Sequence, residues 1–150
     1  MCAHVNADSI PDLIGTWRLV SFEARTSSGE ARYPLGQDVV GQLFYDVGAH
    51  MSGHVMRVDR PTFASNDPGS GSDAEVRAAF EGHVSYFGTY IVDPTTRTVT
   101  HHVRGASYPN WIGHDQIRHY RIDGPHLVLS TPPILDRGEA LVYILTWERM

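Results

Sequence analysis

Segments with the composition of β-strands recur along almost the whole chain, separated by short stretches rich in glycine, proline, aspartate and asparagine. Each segment mixes aromatic and β-branched residues, which favour the pleated backbone of a sheet. We assign strands to residues 14–25, 39–47, 50–58, 84–92, 98–104, 114–122, 126–130 and 140–148. Most connections are too short for the crossovers that parallel strands require, so we predict antiparallel neighbours.

Strands this long would leave unpaired edges in an open sheet, and closing the sheet into a barrel removes those edges. A barrel of about eight strands has room inside for side chains or for one small ligand. We therefore predict a mostly β fold: a single closed, antiparallel, up-and-down barrel of about eight strands. An immunoglobulin-type sandwich is the alternative, although it accounts less naturally for the long strands and for the helix described next.

One short helix interrupts the strand pattern, after the third strand. Ser72 or Asp73 can cap its first turn, which contains Glu75, and Gly82 follows its last turn. The preceding residues 69–72 are all glycine or serine. We expect this segment to be a flexible lid or linker over the mouth of the barrel.

The length and net charge of the chain limit the kinds of partner that we expect it to bind. Its 150 residues suit one domain, which we divide into a tail at 1–12 and a barrel at 13–150. The net charge of −5 provides no basic face for nucleic acid. No apolar run approaches the ~20 residues that cross a bilayer, so we expect no membrane partner. The N-terminus lacks the pattern of a secretion signal, and we expect a cytoplasmic protein.

The absence of lysine and the presence of only one cysteine exclude several kinds of chemistry. All 12 basic residues are arginine, so no lysine amine can form a Schiff base or serve a P-loop. Cys2 is the single cysteine, which excludes disulfides, thiolate zinc sites and iron–sulfur clusters within these 150 residues. The sequence therefore favours binding or catalysis without a cofactor.

The first strand begins with Gly15-Thr16-Trp17, which resembles the lipocalin signature whose tryptophan plugs one end of the barrel. Further segments resemble, in the same order, a bacterial lipocalin-like domain family of the calycin type: residues 15–23, 50–52, 59–61, 86–90, 100–103, 109–113 and 116–118. This resemblance implies a lipocalin-like barrel. Relatives encoded in biosynthetic pathways are thought to act as cyclases or isomerases, so it also implies such an activity as an expectation.

Alternation along each strand predicts which side chains face the interior. If Trp17 points inward, Glu23 points inward as well. Tyr86 and Tyr90 share one face of the fourth long strand. These side chains would give a mainly apolar interior a small number of polar groups, as small-molecule pockets generally have.

The fifth and sixth long strands add further polar candidates. Gln116, Arg118 and Tyr120 share one strand face. His101 and His102 are adjacent on a strand, so one faces inward and the other outward, and alternation leaves open which one. Imidazole titrates near neutral pH and can move a proton in either direction, so the inward histidine is the candidate acid–base group.

We assign two sets of site residues from these patterns. The predicted ligand-binding set is Trp17, Glu23, Tyr86, Trp111, Gln116 and Tyr120. The predicted catalytic set is His101, His102, Tyr90 and Arg118. The structural alternative is that Arg118 pairs with Glu23 or another carboxylate and only braces the barrel, and that Trp111 is ordinary packing.

Nine histidines raise the question of a metal site, but their spacing does not favour one. His50 and His54 share a strand face yet lie about 13 Å apart at ~3.3 Å per residue, too far for one ion. His101 and His102 point to opposite faces. We therefore predict no metal and no cofactor, with haem left open because one inward histidine would suffice to bind it.

Three functions remain open. The first is a barrel that binds a small hydrophobic, oxygenated molecule and catalyses its cyclisation, isomerisation or dehydration without a cofactor. The second is a carrier of the same architecture without turnover. The third is an interaction module with a filled core. The predicted partner is a small organic ligand, with a homodimer left open.

Overall fold

The computed structural model describes residues 12–150, so Cys2 and most of the predicted tail lie outside the described residues. Within this range the chain forms ten strands, one α-helix and two short 3-10 turns. The elements are β1 (Gly15–Arg25), β2 (Ala31–Arg32), β3 (Val39–Tyr45), β4 (His50–Arg57), α1 (Asp73–Glu81), β5 (His83–Asp93), β6 (Thr98–Ala106), β7 (Asp115–Asp123), β8 (His126–Ser130), β9 (Ile134–Asp136) and β10 (Glu139–Arg149). The 3-10 turns are Pro68–Ser70 and Pro109–Trp111.

Eight long strands close into a barrel. Sequential long strands pair in the order β1, β3, β4, β5, β6, β7, β8 and β10, and β10 pairs with β1 to complete the circle. Every pairing is antiparallel. The short strands β2 and β9 extend the sheet beside β1 and β10 at one end. The predicted up-and-down barrel is therefore confirmed, and the sandwich alternative is wrong.

One end of the barrel is filled by its own side chains. Leu13 and Trp17 are fully buried, and the Trp17 indole N–H donates to the Leu13 carbonyl at 2.9 Å. The Arg149 guanidinium lies 4.1 Å from the centre of the Trp17 ring, which is cation–π geometry. The tryptophan of the first strand therefore closes this end of the barrel.

A β-bulge in β1 changes which residues face inward. Leu19 lies opposite Trp147 and Ser21 lies opposite Thr146, so two steps along β1 match one step along β10. An extra residue reverses the alternation beyond it. Ala24 is consequently buried, whereas Glu23 accepts from exposed Arg25 at 3.3 Å. The prediction that Glu23 faces inward is wrong for this reason.

Helix α1 follows the third long strand, as predicted. Ser72 is its N-cap: the Ser72 hydroxyl accepts from the Glu75 N–H at 3.2 Å, and the Glu75 carboxylate accepts from the Ser72 N–H at 2.9 Å. This reciprocal capping box starts the helix after the glycine- and serine-rich segment. No helix among residues 12–150 combines the length and apolar character needed to cross a membrane.

Candidate ligand-binding site

The barrel encloses a cavity of about 1120 Å³. Apolar side chains from most of the long strands line it, including Phe22, Leu43, Met51, Val55 and Leu129. Residues of the α1 segment and of β9 line it as well, among them Ala78, Glu81 and Leu135. A large, mainly apolar cavity with few polar groups is the usual form of a small-molecule site. The cavity also shows that the core is not filled, which argues against the interaction-module alternative.

A second hollow of about 590 Å³ lies on the outer face of β3 and β4. Its lining includes Val40, Phe44, His54 and Met56, and each of its lining residues is exposed or only half-buried. It contains no buried polar group that could fix a ligand. The interior cavity is therefore the candidate site.

The main polar feature of the interior is a histidine held between two tyrosines. The Tyr45 hydroxyl lies 2.6 Å from His101 Nε2, and the Tyr86 hydroxyl lies 2.6 Å from His101 Nδ1. His101 is 2% exposed and Tyr45 is fully buried, while half-buried Tyr86 lines the cavity. Both imidazole nitrogens therefore have partners, and the ring is fixed in place by β3 and β5.

His101 is neutral at physiological pH. Burial, together with the smaller effect of the nearby positive charge of Arg118, lowers the pKa of its imidazole to about 3. Burial also raises the pKa values of the Tyr45 and Tyr86 hydroxyls, so both tyrosines keep their protons. An imidazole with such a low pKa is a weak base, which disfavours the predicted acid–base function of this histidine.

Arg118 and Gln116 extend this polar group along β7. Both line the cavity, and Arg118 donates to the Gln116 side-chain oxygen at 3.3 Å and to the Ile117 carbonyl at 2.9 Å. Arg118 forms no ion pair with a carboxylate among residues 12–150. The structural alternative, in which Arg118 braces the barrel by pairing with Glu23 or another carboxylate, is therefore wrong.

Aromatic side chains stand next to this polar group. Trp111, which follows β6 in a 3-10 turn, contacts Tyr86 edge-to-face with ring centres 5.9 Å apart. Tyr108 contacts the other side of Trp111 at 5.3 Å. All three residues line the cavity. The loop after β6 thus contributes an aromatic wall, and Trp111 both packs against its neighbours and faces the cavity.

Of the two adjacent histidines, His101 is the inward one. His102 is exposed on the outside of the barrel, where its Nδ1 lies 2.8 Å from Asp115 Oδ1. It is far from any interior chemistry because adjacent strand residues point to opposite faces. The prediction left open which histidine faces inward; the structure places His101 inside, and the assignment of His102 to the catalytic set is wrong because its side chain lies outside the barrel.

Three other predicted site residues face inward without lining the cavity. Trp17 closes the filled end, as described above. Tyr90 is 6% exposed and donates its hydroxyl proton to the Asp46 carbonyl at 2.7 Å, and Tyr120 is 7% exposed. These residues are packing residues of the core. We assigned these residues to the site only because alternation predicted that they face inward. In the structure they lie in the filled part of the barrel, outside the lining of the cavity.

Tyr45 is the site residue that sequence reasoning missed. It follows Leu43 on the inward face of β3, so alternation could have placed it in the interior. No sequence pattern indicates that its hydroxyl reaches His101, because the two strands are 56 residues apart in the chain. This contact exists only because the barrel closes.

The interior offers no evident place for a metal. Among the residues the structure describes, no group of three or more histidine, cysteine, aspartate or glutamate residues is arranged to hold an ion. His101 has no free nitrogen for haem iron, since Tyr45 and Tyr86 occupy both.

Comparison with known proteins agrees with the architecture. Residues 14–150 match the model of a family described as a lipocalin-like domain. The 4'-hydroxy-3'-methoxypropiophenone carrier protein ppsC of Aspergillus oryzae (strain ATCC 42149 / RIB 40) is 36% identical over 107 residues, covering 67% of this chain and 96% of that protein.

Two solved structures resemble the barrel at lower identity. A lipocalin-like protein from Bacteroides uniformis ATCC 8492 is 12% identical, with a TM-score of 0.47 and coverage of 93% of this chain and 99% of its own. A protein titled REP1-NXSQ fatty acid transporter is 14% identical, with a TM-score of 0.42 and coverage of 93% and 97%, respectively.

Proposed function

Because the chain belongs to the lipocalin-like domain family, we propose that it is a carrier that binds one small, mainly apolar, oxygenated molecule inside the barrel. The observation that carries this proposal is the cavity of about 1120 Å³, with apolar walls and the polar group around His101. Such a cavity excludes water from the apolar part of a ligand and offers hydrogen bonds to its oxygen atoms.

The relative from Aspergillus oryzae supports a carrier. Its name describes the binding of an aromatic ketone that also carries a hydroxyl and a methoxy group. A compound of that kind combines an apolar ring with a few oxygen atoms, and the cavity described here combines apolar and aromatic walls with a few hydrogen-bond donors. The shared chemistry is that of a small oxygenated molecule; the ligand of this chain need not be the same compound.

A cofactor-independent isomerase or cyclase is the function that the sequence analysis placed first, and it receives less support. The predicted catalytic histidine is neutral, weakly basic and already bonded at both nitrogens. Its position suits the orientation of Tyr86 better than the transfer of a proton to or from a substrate. The carrier is therefore the better proposal for this site.

Blocking the cavity tests the proposal. Gly53 lines the cavity on β4, and a β-carbon there would meet only the Leu43 side chain, at 3.4 Å. We expect Gly53→Phe to reduce the affinity for Nile red, a neutral apolar dye, by at least about tenfold, because the new ring occupies ligand volume. The measurement is a fluorescence titration of the purified protein.

The adjacent position supplies a matched control. Ser52 precedes Gly53 on β4 but belongs to the hollow on the outer face. We expect Ser52→Phe to leave dye affinity within about twofold, because its ring cannot enter the barrel. Equal binding by both variants and the parent protein would overturn the proposal, as would absence of dye binding to the parent. Mass spectrometry of compounds that co-purify, before and after incubation, would reveal turnover if the compound changes.

A further inference from the structure

The hydrogen bonds around His101 have a direction that follows from burial. The Tyr45 hydroxyl is fully buried, and His101 Nε2 is its one hydrogen-bond partner among the described residues. A buried hydroxyl proton without an acceptor is costly, so Tyr45 donates to Nε2. The neutral imidazole then carries its proton on Nδ1, and Nδ1–H donates to the Tyr86 oxygen.

This direction leaves the Tyr86 hydroxyl proton available. Its oxygen already accepts from His101, and Tyr86 itself is half-buried and lines the cavity. The proton can therefore be donated to an acceptor inside the barrel. Because Tyr45 donates to His101 and His101 donates to Tyr86, the Tyr86 hydroxyl does not donate to His101. It can donate to the ligand instead.

Gln116 and Arg118 are also donors toward the cavity. The Gln116 side-chain oxygen accepts from Arg118, which leaves the amide NH₂ as the free end of Gln116. Arg118 has five N–H donors and no acceptor, and two of its nitrogens make the bonds to Gln116 and the Ile117 carbonyl. These three cavity-lining groups thus present more donors than acceptors.

The positive charge of Arg118 is uncompensated inside the cavity. The three carboxylates that line the cavity already bond to other side chains: Asp59 to Arg57, Glu81 to Arg77 and Asp136 to Tyr143. Arg118 has no carboxylate partner among residues 12–150, and it is half-buried. A partly desolvated charge is stabilised by an opposite charge, which a ligand can supply.

Resting on the carrier function proposed above, we infer that the ligand presents an anionic oxygen, a carboxylate or phenolate, to Arg118, Tyr86 and Gln116. Such a group accepts several hydrogen bonds and needs to donate none. A neutral alcohol of the same shape accepts fewer hydrogen bonds and does not neutralise Arg118. The site therefore selects among apolar molecules by the charge and acceptor character of their head group.

A series of ligands with one chain length tests this selection. Decanoate, 1-decanol and methyl decanoate are compared by displacement of Nile red at neutral pH. We expect decanoate to bind at least about tenfold more tightly than the alcohol and the ester, because charge-assisted hydrogen bonds are stronger than neutral ones. Equal affinity for all three compounds would overturn the inference while leaving the carrier proposal intact. Failure of all three to bind and of the dye to bind would instead contradict the carrier proposal.

Variants locate the selection at the inferred group. We expect Arg118→Gln to weaken decanoate binding about tenfold or more, so that most of the preference for decanoate over 1-decanol is lost. Arg118→Lys, which keeps the charge, is expected to retain part of the preference. Arg121→Gln is the control, since Arg121 lies on the same strand with its side chain exposed. Unchanged decanoate preference in a folded Arg118→Gln protein would overturn the inference.

Discussion

The two ends of the barrel differ in how completely their side chains satisfy one another. At the filled end, Trp17 is fully buried, its N–H bonds to Leu13 and its ring is covered by Arg149. At the open end, apolar walls enclose unfilled space, and Arg118 forms no ion pair with any carboxylate among residues 12–150. The comparison indicates that the filled end stabilises the fold, whereas groups at the open end remain available to bind a ligand.

The largest effect is expected at the filled end. Trp17→Ala removes a fully buried indole, so we expect it to lower the free energy of unfolding by about 3–5 kcal/mol. Because Trp17 does not line the cavity, the fraction of protein that remains folded should bind Nile red with unchanged affinity. Urea unfolding and dye titration measure the two quantities. Loss of dye affinity without a lower free energy of unfolding would contradict the assignment of stability to the filled end and of ligand binding to the open end.

The adjacent histidines sharpen the comparison within one strand. His101→Ala leaves two tyrosine hydroxyls without their partner, and we expect a loss of about 2–4 kcal/mol. His102→Ala removes a surface contact to Asp115 between side chains that are each about half exposed, and we expect a loss of about 1 kcal/mol or less. Urea unfolding of the two variants in parallel gives the difference. Equal losses would be inconsistent with the inward position of His101.

A smaller effect than that of Trp17→Ala is expected from pH. His101 has a pKa of about 3 in the folded chain and about 6.5 when unfolded, so the unfolded chain binds more protons between these values. The free energy of unfolding therefore rises with pH across this window. The contribution of His101 is fully present above pH 6.5 and is lost progressively as the pH falls toward 3. We expect His101 to account for roughly 2 kcal/mol of stability lost between pH 7 and pH 5.

Comparison with a variant isolates this contribution from the other titrating groups. His101→Gln keeps a polar side chain that can donate and accept but does not titrate. Its stability should fall less steeply than that of the parent protein over the same pH interval, in urea unfolding at each pH. Parallel pH profiles would indicate that His101 titrates normally in the folded chain.

Much of the architecture could be predicted because it is encoded locally. The alternating pattern and the turn residues placed the long strands to within about two residues of their observed ends, and Ser72 with Glu75 marked the start of the helix. The interior directions of Arg118 and Tyr86 followed from the same alternation. Local chemistry sufficed for these features since each depends on residues close together in the chain.

The wrong assignments concern residues whose orientation or surroundings cannot be read from the alternation of residues along one strand. Glu23 faces outward because the bulge opposite β10 reverses the alternation, and that bulge depends on pairing with a strand more than a hundred residues away. Tyr90 and Trp17 were assigned to ligand binding or catalysis because they face inward. Inward direction does not show whether an interior position lies in filled core or beside open space.

The sequence by itself determined the number of long strands, their antiparallel order, the helix and the absence of lysine chemistry, because periodicity and residue type are sufficient for these conclusions. Only the tertiary structure decided that His101 is the inward histidine, that Tyr45 and Tyr86 hold it, and that Arg118 lacks a carboxylate partner. Closure of the barrel brings distant strands together and sets which polar groups satisfy one another. The donors left over are what a ligand can use.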